Sequence, residues 1–320
     1  MMLMEVQNLT VSIGTVQPLN QISFAVDRGE ILGLVGESGS GKSLTALAIT
    51  GLLPLIGGRI TGGSVTFDGT DLTRLPEAKL RPLRGRRIAF ITQNPMTALD
   101  PVQRVGAQID VVAEMHLGLS KSAARTRTVD LLTQLRIPEA AIISDAYPHQ
   151  LSGGMKQRIV IAMALAGNPD LIVADEPTTA LDVTVQAQII HILATLVKER
   201  GLALILITHD MGVVAQICDR VAVLYAGRLA EARAVRPLFA IPAHPYTAAL
   251  IACIPRPDLA PGALTGIPGA VPGVARYPAG CRYHPRCPRA SDICQTEAPA
   301  LDAVTGGTVA CHHRLEAAFV

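Results

Sequence analysis

The sequence predicts an α/β fold, and three observations point to it. An apolar run, Ile31–Val35, leads into Gly36–Ser43 (GESGSGKS) and then the helix-like LTALAIT, which reads as strand, loop, helix. The runs Leu171–Asp175 and Leu202–Thr208 are short, continuous and apolar. They flank a helical pattern from Val183 to Glu199, as parallel strands joined by a right-handed crossover do. The chain has 320 residues, 49% of them hydrophobic, enough for one large domain and a small one. Ligands of such a sheet are expected at the carboxyl ends of its strands.

Before the Ile31 strand, apolar residues alternate (Val6, Leu9, Val11, Ile13; Ile22, Phe24, Val26) up to a turn at Asp27–Gly29, as in a small antiparallel region. A further strand pair near Gly63–Gly69 is expected to join the same sheet. Across Gly36, Glu37, Ser38, Gly39, Ser40, Gly41, Lys42 and Ser43 the pattern G-x-x-x-x-G-K-S/T is complete. Its glycines let successive N–H groups curl round a phosphate, Lys42 reaches the β- and γ-phosphates, and Ser43 ligates Mg²⁺. The positive end of the following helix adds to the pull.

Arg87–Thr92 reads as a buried strand ending at Gln93, and from Val102 to about Leu135 the spacing becomes helical, a helical insert. Asp175 and Glu176 end a buried strand. There Asp175 can hold Mg²⁺ through water and Glu176 can polarise a water for attack on the γ-phosphate. Ser152, Gly153 and Gly154 open another helix, Ile159–Ala166 being its apolar body, and such an end is a second anion site. One phosphate loop needs one nucleotide site, so the second end is expected to complete the site of another molecule.

From about Pro237 prolines crowd the chain (Pro242, Pro245, Pro255, Pro257, Pro261, Pro268, Pro272, Pro278), leaving room for little helix beyond Tyr246–Cys253 and placing a boundary near residue 236. Of six cysteines, Cys218 and Cys253 stand alone in helical patterns as buried thiols. Cys281, Cys287, Cys294 and Cys311 follow with five, six and sixteen residues between them. On a segment too short for its own core they suggest a metal-held module, although no C-x-x-C pair occurs. A net charge of +2 and 3% aromatics give no basic stripe with stacking rings, so nucleic acid is not expected as a partner, and the cluster Lys79–Arg87 reads as a solvated face. The start, MMLMEVQNLTV, lacks the pattern of a secretory signal, and no segment has the length and apolarity of a membrane span, which together suggest a cytoplasmic chain. No repeat at solenoid spacing is present.

LSGGMKQR, Gln93 after a strand, Asp175–Thr178 (DEPT), Ala180-Leu-Asp182 and His209 in ITHD, in this order, resemble the nucleotide-binding subunit of an ABC transporter over residues 3 to about 235. The resemblance implies a P-loop NTPase: a RecA-like parallel sheet core, an antiparallel β subdomain and a helical subdomain at about 94–165. Two such domains pair head to tail around two ATP molecules. Carried over, Lys42 and Ser43 hold phosphate and Mg²⁺, and Gln93 serves Mg²⁺ or the attacking water, and the permease contact. Ser152, Gly153 and Gly154 bind the γ-phosphate held by the partner subunit, Glu176 is the catalytic base, Asp182 connects the two sites and His209 contacts the γ-phosphate. The family usually stacks an aromatic residue on adenine where this chain has Ile13, which implies weaker ATP affinity or reduced base selectivity. Asn94–Pro101 falls where the family forms a groove for a helix of the membrane subunit, with Met96 and Leu99 as its apolar lining or else as core.

GCRYHPRCPRASDIC, VACHH, IPRPD and IPGAVPG resemble the C-terminal extension of ATPase subunits from dipeptide and oligopeptide importers. That resemblance implies a 4Fe–4S cluster on Cys281, Cys287, Cys294 and Cys311, with Zn²⁺ as the alternative and His284, His312 and His313 as less favoured ligands. The expectation is a nucleotide-binding domain, residues 1–235, with a four-cysteine extension, residues 236–320. It would be peripheral on the cytoplasmic face of a bacterial inner membrane, hydrolysing ATP to import di- and oligopeptides. The partners implied are a second, related ABC ATPase subunit, two permease subunits and an extracytoplasmic solute-binding protein. Nickel or another small solute is the alternative cargo. A soluble ABC ATPase acting on nucleic acid or ribosomes is the rival class; such proteins generally carry two nucleotide domains or long coiled coils, and neither is seen here.

Overall fold

The structure, a computed structural model, describes residues 1–178, 181–255 and 266–315. Ala180, Pro257, Pro261, part of the IPRPD run and the head of the proline- and glycine-rich run after Leu259 lie outside the described residues. The strands are β1 (Met2–Ile13), β2 (Val16–Asp27), β3 (Ile31–Val35), β4 (Gly58–Phe67), β5 (Thr70–Asp71), β6 (Ile88–Ile91), β7 (Leu171–Asp175), β8 (Ala203–Thr208), β9 (Arg220–Tyr225), β10 (Arg228–Ala234), β11 (Asp302–Val304) and β12 (Gly307–Val309). The chain folds as two compact units that are each discontinuous in sequence: Met2–Val26, Ile31–Thr73 and Ile207–Val320 form one, and Asp27–Glu30 and Arg74–Leu206, with Met1, form the other.

In the first unit, β2, β1, β4 and β5 lie side by side in one sheet, as expected from the alternation. Val6 faces Val65 across the antiparallel β1–β4 pair, and Val6, Leu9, Val11, Ile22, Phe24 and Val26 are all buried. The phosphate-loop strand β3 is buried at every position and pairs in parallel with β9. The Asp219 carboxylate anchors its start, accepting from the Ile31 N–H at 2.8 Å. β9 turns back into β10 through Ala226 and Gly227, both at positive φ. The C-terminal segment then adds to the edge of β10, which pairs with β12, and β12 with β11. Tyr283 and Val309 are buried. A segment too short for a core of its own shares the core of the unit that carries the phosphate loop.

In the second unit, β6 runs parallel to β7, and β7 neighbours β8. β7 and residues Ala203–Leu206 of β8 are buried throughout, which explains their continuous apolar runs. The helical stretch expected from Val102 to Leu135 is two helices, Val105–Leu117 and Lys121–Gln134. Gly118, at φ 67, ends the first, and Ser120 caps the second by accepting from Ala123 N–H. The basic cluster is not simply a solvated face. Arg84 grips Glu77 with both oxygens at 2.6 and 2.8 Å, Arg87 pairs with Asp170, and Arg86 donates to the Gly167 carbonyl. Among the described residues no helix is long and apolar enough to cross a membrane.

Candidate functional site

The phosphate loop is shaped by its glycines. Gly36, Gly39 and Gly41 sit at φ 149, 81 and 105, where a side chain is strained. A Cβ on Gly36 would lie 2.2 Å from the Leu224 carbonyl, so the loop presses directly on β9. Ser38, Gly39 and Ser43 are exposed, while Ser40 and Lys42 are buried. The Lys42 ammonium turns back into the loop and donates to the carbonyls of Gly36 (2.7 Å) and Glu37 (3.1 Å). Ser40 Oγ is buried with no hydrogen-bond partner. The helix Lys42–Ile49 starts on Gly41 with no side-chain cap and no acidic residue in its first turn. An uncapped helix start, an ammonium and a buried hydroxyl converge in one small loop, a set of donors suited to a phosphate. Ser43, exposed beside them, can offer its hydroxyl to Mg²⁺.

In the second unit, β7 ends on buried Asp175, and Glu176 follows at φ 44, a strained left-handed conformation for a side-chain-bearing residue. Gln93, exposed after β6, donates Nε2–H to Glu176 Oε2 at 2.9 Å, so two residues distant in sequence meet at one carboxylate. Ser152 caps the helix Gly153–Ala166, its hydroxyl accepting from Met155 N–H at 3.3 Å, and both Ser152 and Gly153 face solvent. A Cβ on Gly154 would stand 2.7 Å from Val185, in the helix Val183–Arg200 that Asp182 caps through Val185 N–H. His209 is exposed, and Asp210 beside it caps Met211–Ile217. Ile13 is half-buried beside the exposed Gly14–Thr15 turn. In the expected groove, Met96 is 62% exposed but Leu99 only 4%; Leu99 is core, because the loop closes into a short turn, Pro95–Ala98, capped by Asn94.

The cysteine expectations need correction. Cys218 is buried as expected, and burial pushes its thiol up to about 12, but Cys253 is partly exposed. Among the described residues no three His, Cys, Asp or Glu side chains are arranged to hold a metal ion, so Cys281, Cys287, Cys294 and Cys311 do not stand as an assembled ligand set. Burial raises the pKa of Cys281, Cys287 and Cys311, the last to about 11. The neighbouring cysteines add to each of these shifts, so the four sulfurs share one locality and their donor chemistry suits a thiophilic metal. His284, His312 and His313 commit ring nitrogens to the Cys281 carbonyl, the Glu297 carbonyl and Ser291 Oγ.

One group of residues was missed in the sequence. Glu37, inside the phosphate loop, is held by both guanidinium nitrogens of Arg286 at 2.8 and 3.0 Å. Its N–H donates to the Tyr246 hydroxyl at 2.9 Å, and Tyr225, Tyr246 and Tyr283 pack ring on ring behind it. Burial opposes the Arg286 charge, but its bonds to Glu37 and Tyr225 more than offset this and raise the guanidinium pKa. The available signal was a carboxylate placed in a loop built for anions, which requires a cation nearby.

A glycine-shaped loop around a buried lysine, together with a second helix start at which Ser152 and Gly153 are exposed, is what the class of ATP-binding cassettes is expected to show. The chain belongs to the ABC transporter ATP-binding family. The family described as ABC transporter matches residues 19–179, and that described as oligopeptide/dipeptide transporter, C-terminal region, matches residues 230–294. It is 48% identical over 319 residues to the oligopeptide transport ATP-binding protein OppD of Salmonella typhimurium, covering 98% of this chain and 94% of that protein. It is 46% identical over 321 residues to the dipeptide transport ATP-binding protein DppD of Escherichia coli, covering 99% and 98%. Among solved structures, a dimeric post-hydrolysis state of the ATP-binding cassette MJ0796 bound to ADP and Pi matches with a TM-score of 0.65 at 28% identity, covering 73% of this chain and 99% of that one.

Proposed function

We infer that this chain is the ATP-hydrolysing subunit that energises import of di- and oligopeptides across a bacterial inner membrane. One observation carries the reading: the likeness to peptide transport ATP-binding proteins runs through nearly the whole chain. It includes the C-terminal segment, which matches a peptide-transporter family. The chain works peripherally, on the cytoplasmic face, through two permease subunits and with an extracytoplasmic binding protein. Its nucleotide domain ends near residue 235, and a second, related ATPase subunit pairs with it. The solved dimeric cassette supports pairing in general.

Lys42, the loop N–H groups and the uncapped helix start hold the phosphates of ATP. Ser43, Gln93 and Asp175 would hold Mg²⁺, which would neutralise phosphate charge. Glu176 takes the proton of the attacking water, and its contact with Gln93 orients the carboxylate. His209 contacts the γ-phosphate. Ser152, Gly153 and Gly154 reach the nucleotide of the paired subunit, and Asp182, which fixes the helix that Gly154 packs on, links the two sites. Exposed Met96 is the part of the Asn94–Pro101 loop that meets the permease. The four tail cysteines would take a 4Fe–4S cluster only by drawing together into a ligand set, a reading supported by their shared locality. The test is to purify the whole transporter anaerobically and measure ATPase activity with peptides. Stimulation by di- or oligopeptides is expected; stimulation by nickel or another small solute alone overturns the cargo. Iron and sulfide in equal amounts are expected in the same sample, and zinc in their place overturns the cluster.

A further inference from the structure

We propose that Arg286 is a positioning residue for the phosphate loop: it neutralises the loop's carboxylate and fixes the peptide whose carbonyl holds Lys42. The proposal rests on the reading of Gly36–Ser43 as the ATP site. Glu37 is the one acidic residue in that loop, and a bare carboxylate there repels a polyanionic ligand. Arg286 removes the conflict with a two-pronged pair, its own side chain 5% exposed against 29% for Glu37. The guanidinium is in turn fixed by the Pro268 and Ile267 carbonyls at 2.7 and 3.2 Å and the Tyr225 hydroxyl at 3.3 Å. It is therefore a rigid support built by the C-terminal segment, and not a mobile surface charge.

Glu37 is pinned at every polar group it has. Its carboxylate goes to Arg286, its N–H to the Tyr246 hydroxyl, and its carbonyl accepts from Lys42 Nζ and from Ser40 N–H, both at 3.1 Å. A loop with glycines at Gly36, Gly39 and Gly41 has much conformational freedom to lose on binding. Fixing Glu37 from outside removes part of that cost before the nucleotide arrives. Because the loop is held alike in the ground and transition states, the contribution falls on nucleotide affinity and leaves turnover at saturation alone.

The experiment is titration of the full chain with MgATP, together with its melting temperature and, in the transporter, KM and kcat for ATP. Arg286→Gln should weaken affinity and raise KM by about tenfold, within the usual range of site coupling, with kcat nearly unchanged. Glu37→Gln added to Arg286→Gln should recover part of the lost affinity, because the stranded carboxylate is gone while the outside hold on the loop stays lost. Arg286→Lys, which keeps the charge but not the fork, should fall between. A lower melting temperature with unchanged affinity, or no rescue by the second substitution, overturns the proposal. If Arg286→Gln does not fold, Glu37→Gln alone decides: affinity at or above the parent is expected, and a tenfold loss overturns it. A parent chain that binds no MgATP removes the underlying reading and this proposal with it. A parent that binds, with variants that bind equally well, overturns the positioning role alone.

Discussion

Two helix starts, each suited to an anion, are finished differently. The helix at Lys42 begins on a glycine with no side-chain cap, which suits its start to an outside acceptor. The helix at Gly153 begins on Ser152, whose hydroxyl already accepts from Met155 N–H, at a long 3.3 Å. The first is incomplete without phosphate, whereas the second is stable alone and can exchange a weak internal bond for an external one. That contrast suits the proposed site shared between two subunits, in which each chain would bind nucleotide on its own loop and offer a self-sufficient surface to its partner's. On that reading an isolated chain is expected to bind ATP but hydrolyse it poorly.

The strongest way to break the contrast leaves both helix starts intact and removes only the chemistry. Glu176→Gln should lower turnover in the transporter by ~10²–10⁴ while MgATP affinity stays at the parent value. Retained hydrolysis would show that the proton acceptor lies elsewhere.

A third helix start adds pH to the comparison. His244 caps Pro245–Ala252, its Nδ1 accepting from Tyr246 N–H at 3.0 Å, and the Tyr246 hydroxyl then holds the Glu37 N–H. Burial pushes the His244 pKa from 6.5 down to about 4, only partly opposed by a hydrogen bond to the Ala310 backbone. The imidazole is thus neutral when folded, and a proton on Nδ1 would abolish the cap. Between the two values the unfolded chain binds the extra proton, so stability is full above pH 6.5 and lost as pH falls towards 4. Denaturation at pH 7 and at pH 5 should differ by about 2 kcal/mol from this residue. His244→Asn, which caps without titrating, should flatten the difference by that amount, and an unchanged slope would exclude His244 as its source.

Much of this was legible in the sequence, for reasons that differ by residue. The loop, β3, β7 and β8 could be read because their motifs and apolar runs are local and the structure leaves them where the pattern put them. Ser152 could be read because capping is a rule of a few residues. The Arg286–Glu37 pair could not, since its members are 249 residues apart and nothing in either neighbourhood names the other. β11 and β12 are three residues each, too short to show alternation, and exist because β10 offers them an edge. Met96 and Leu99 look alike in a loop, and only the turn at Pro95 decides that one is exposed and the other buried.

Ser152 itself can be made to tell a cap from a ligand. Asp caps a helix as well as Ser does, so Ser152→Asp should leave the melting temperature and the chain's own MgATP affinity unchanged. It would, however, present a negative charge to the partner's phosphate, and hydrolysis in the assembled transporter should fall by roughly tenfold or more. Ser152→Ala reverses the pattern, costing about 1 kcal/mol of stability. If Ser152→Asp hydrolyses ATP like the parent, the second helix start is only a helix start.

The smallest effect concerns the base rather than the phosphates, and it limits how much of the affinity the loop must supply. Ile13 closes β1 opposite Gly58, and its Cγ1 lies 3.5 Å from where a Gly58 side chain would begin. That side of the strand end is therefore held close by β4, while the Gly14–Thr15 turn beside it is exposed and leaves space for a ring. On the proposed reading, an isoleucine there would give the adenine an apolar contact without a π-face. Ile13→Tyr should tighten MgATP binding by ~1 kcal/mol, about fivefold, on the scale of aromatic pairs. The gain should be absent for inorganic triphosphate, which has no base to stack. Equal tightening for both ligands would mean that the substitution acts through the loop, and no tightening for either would mean that Ile13 does not face the base.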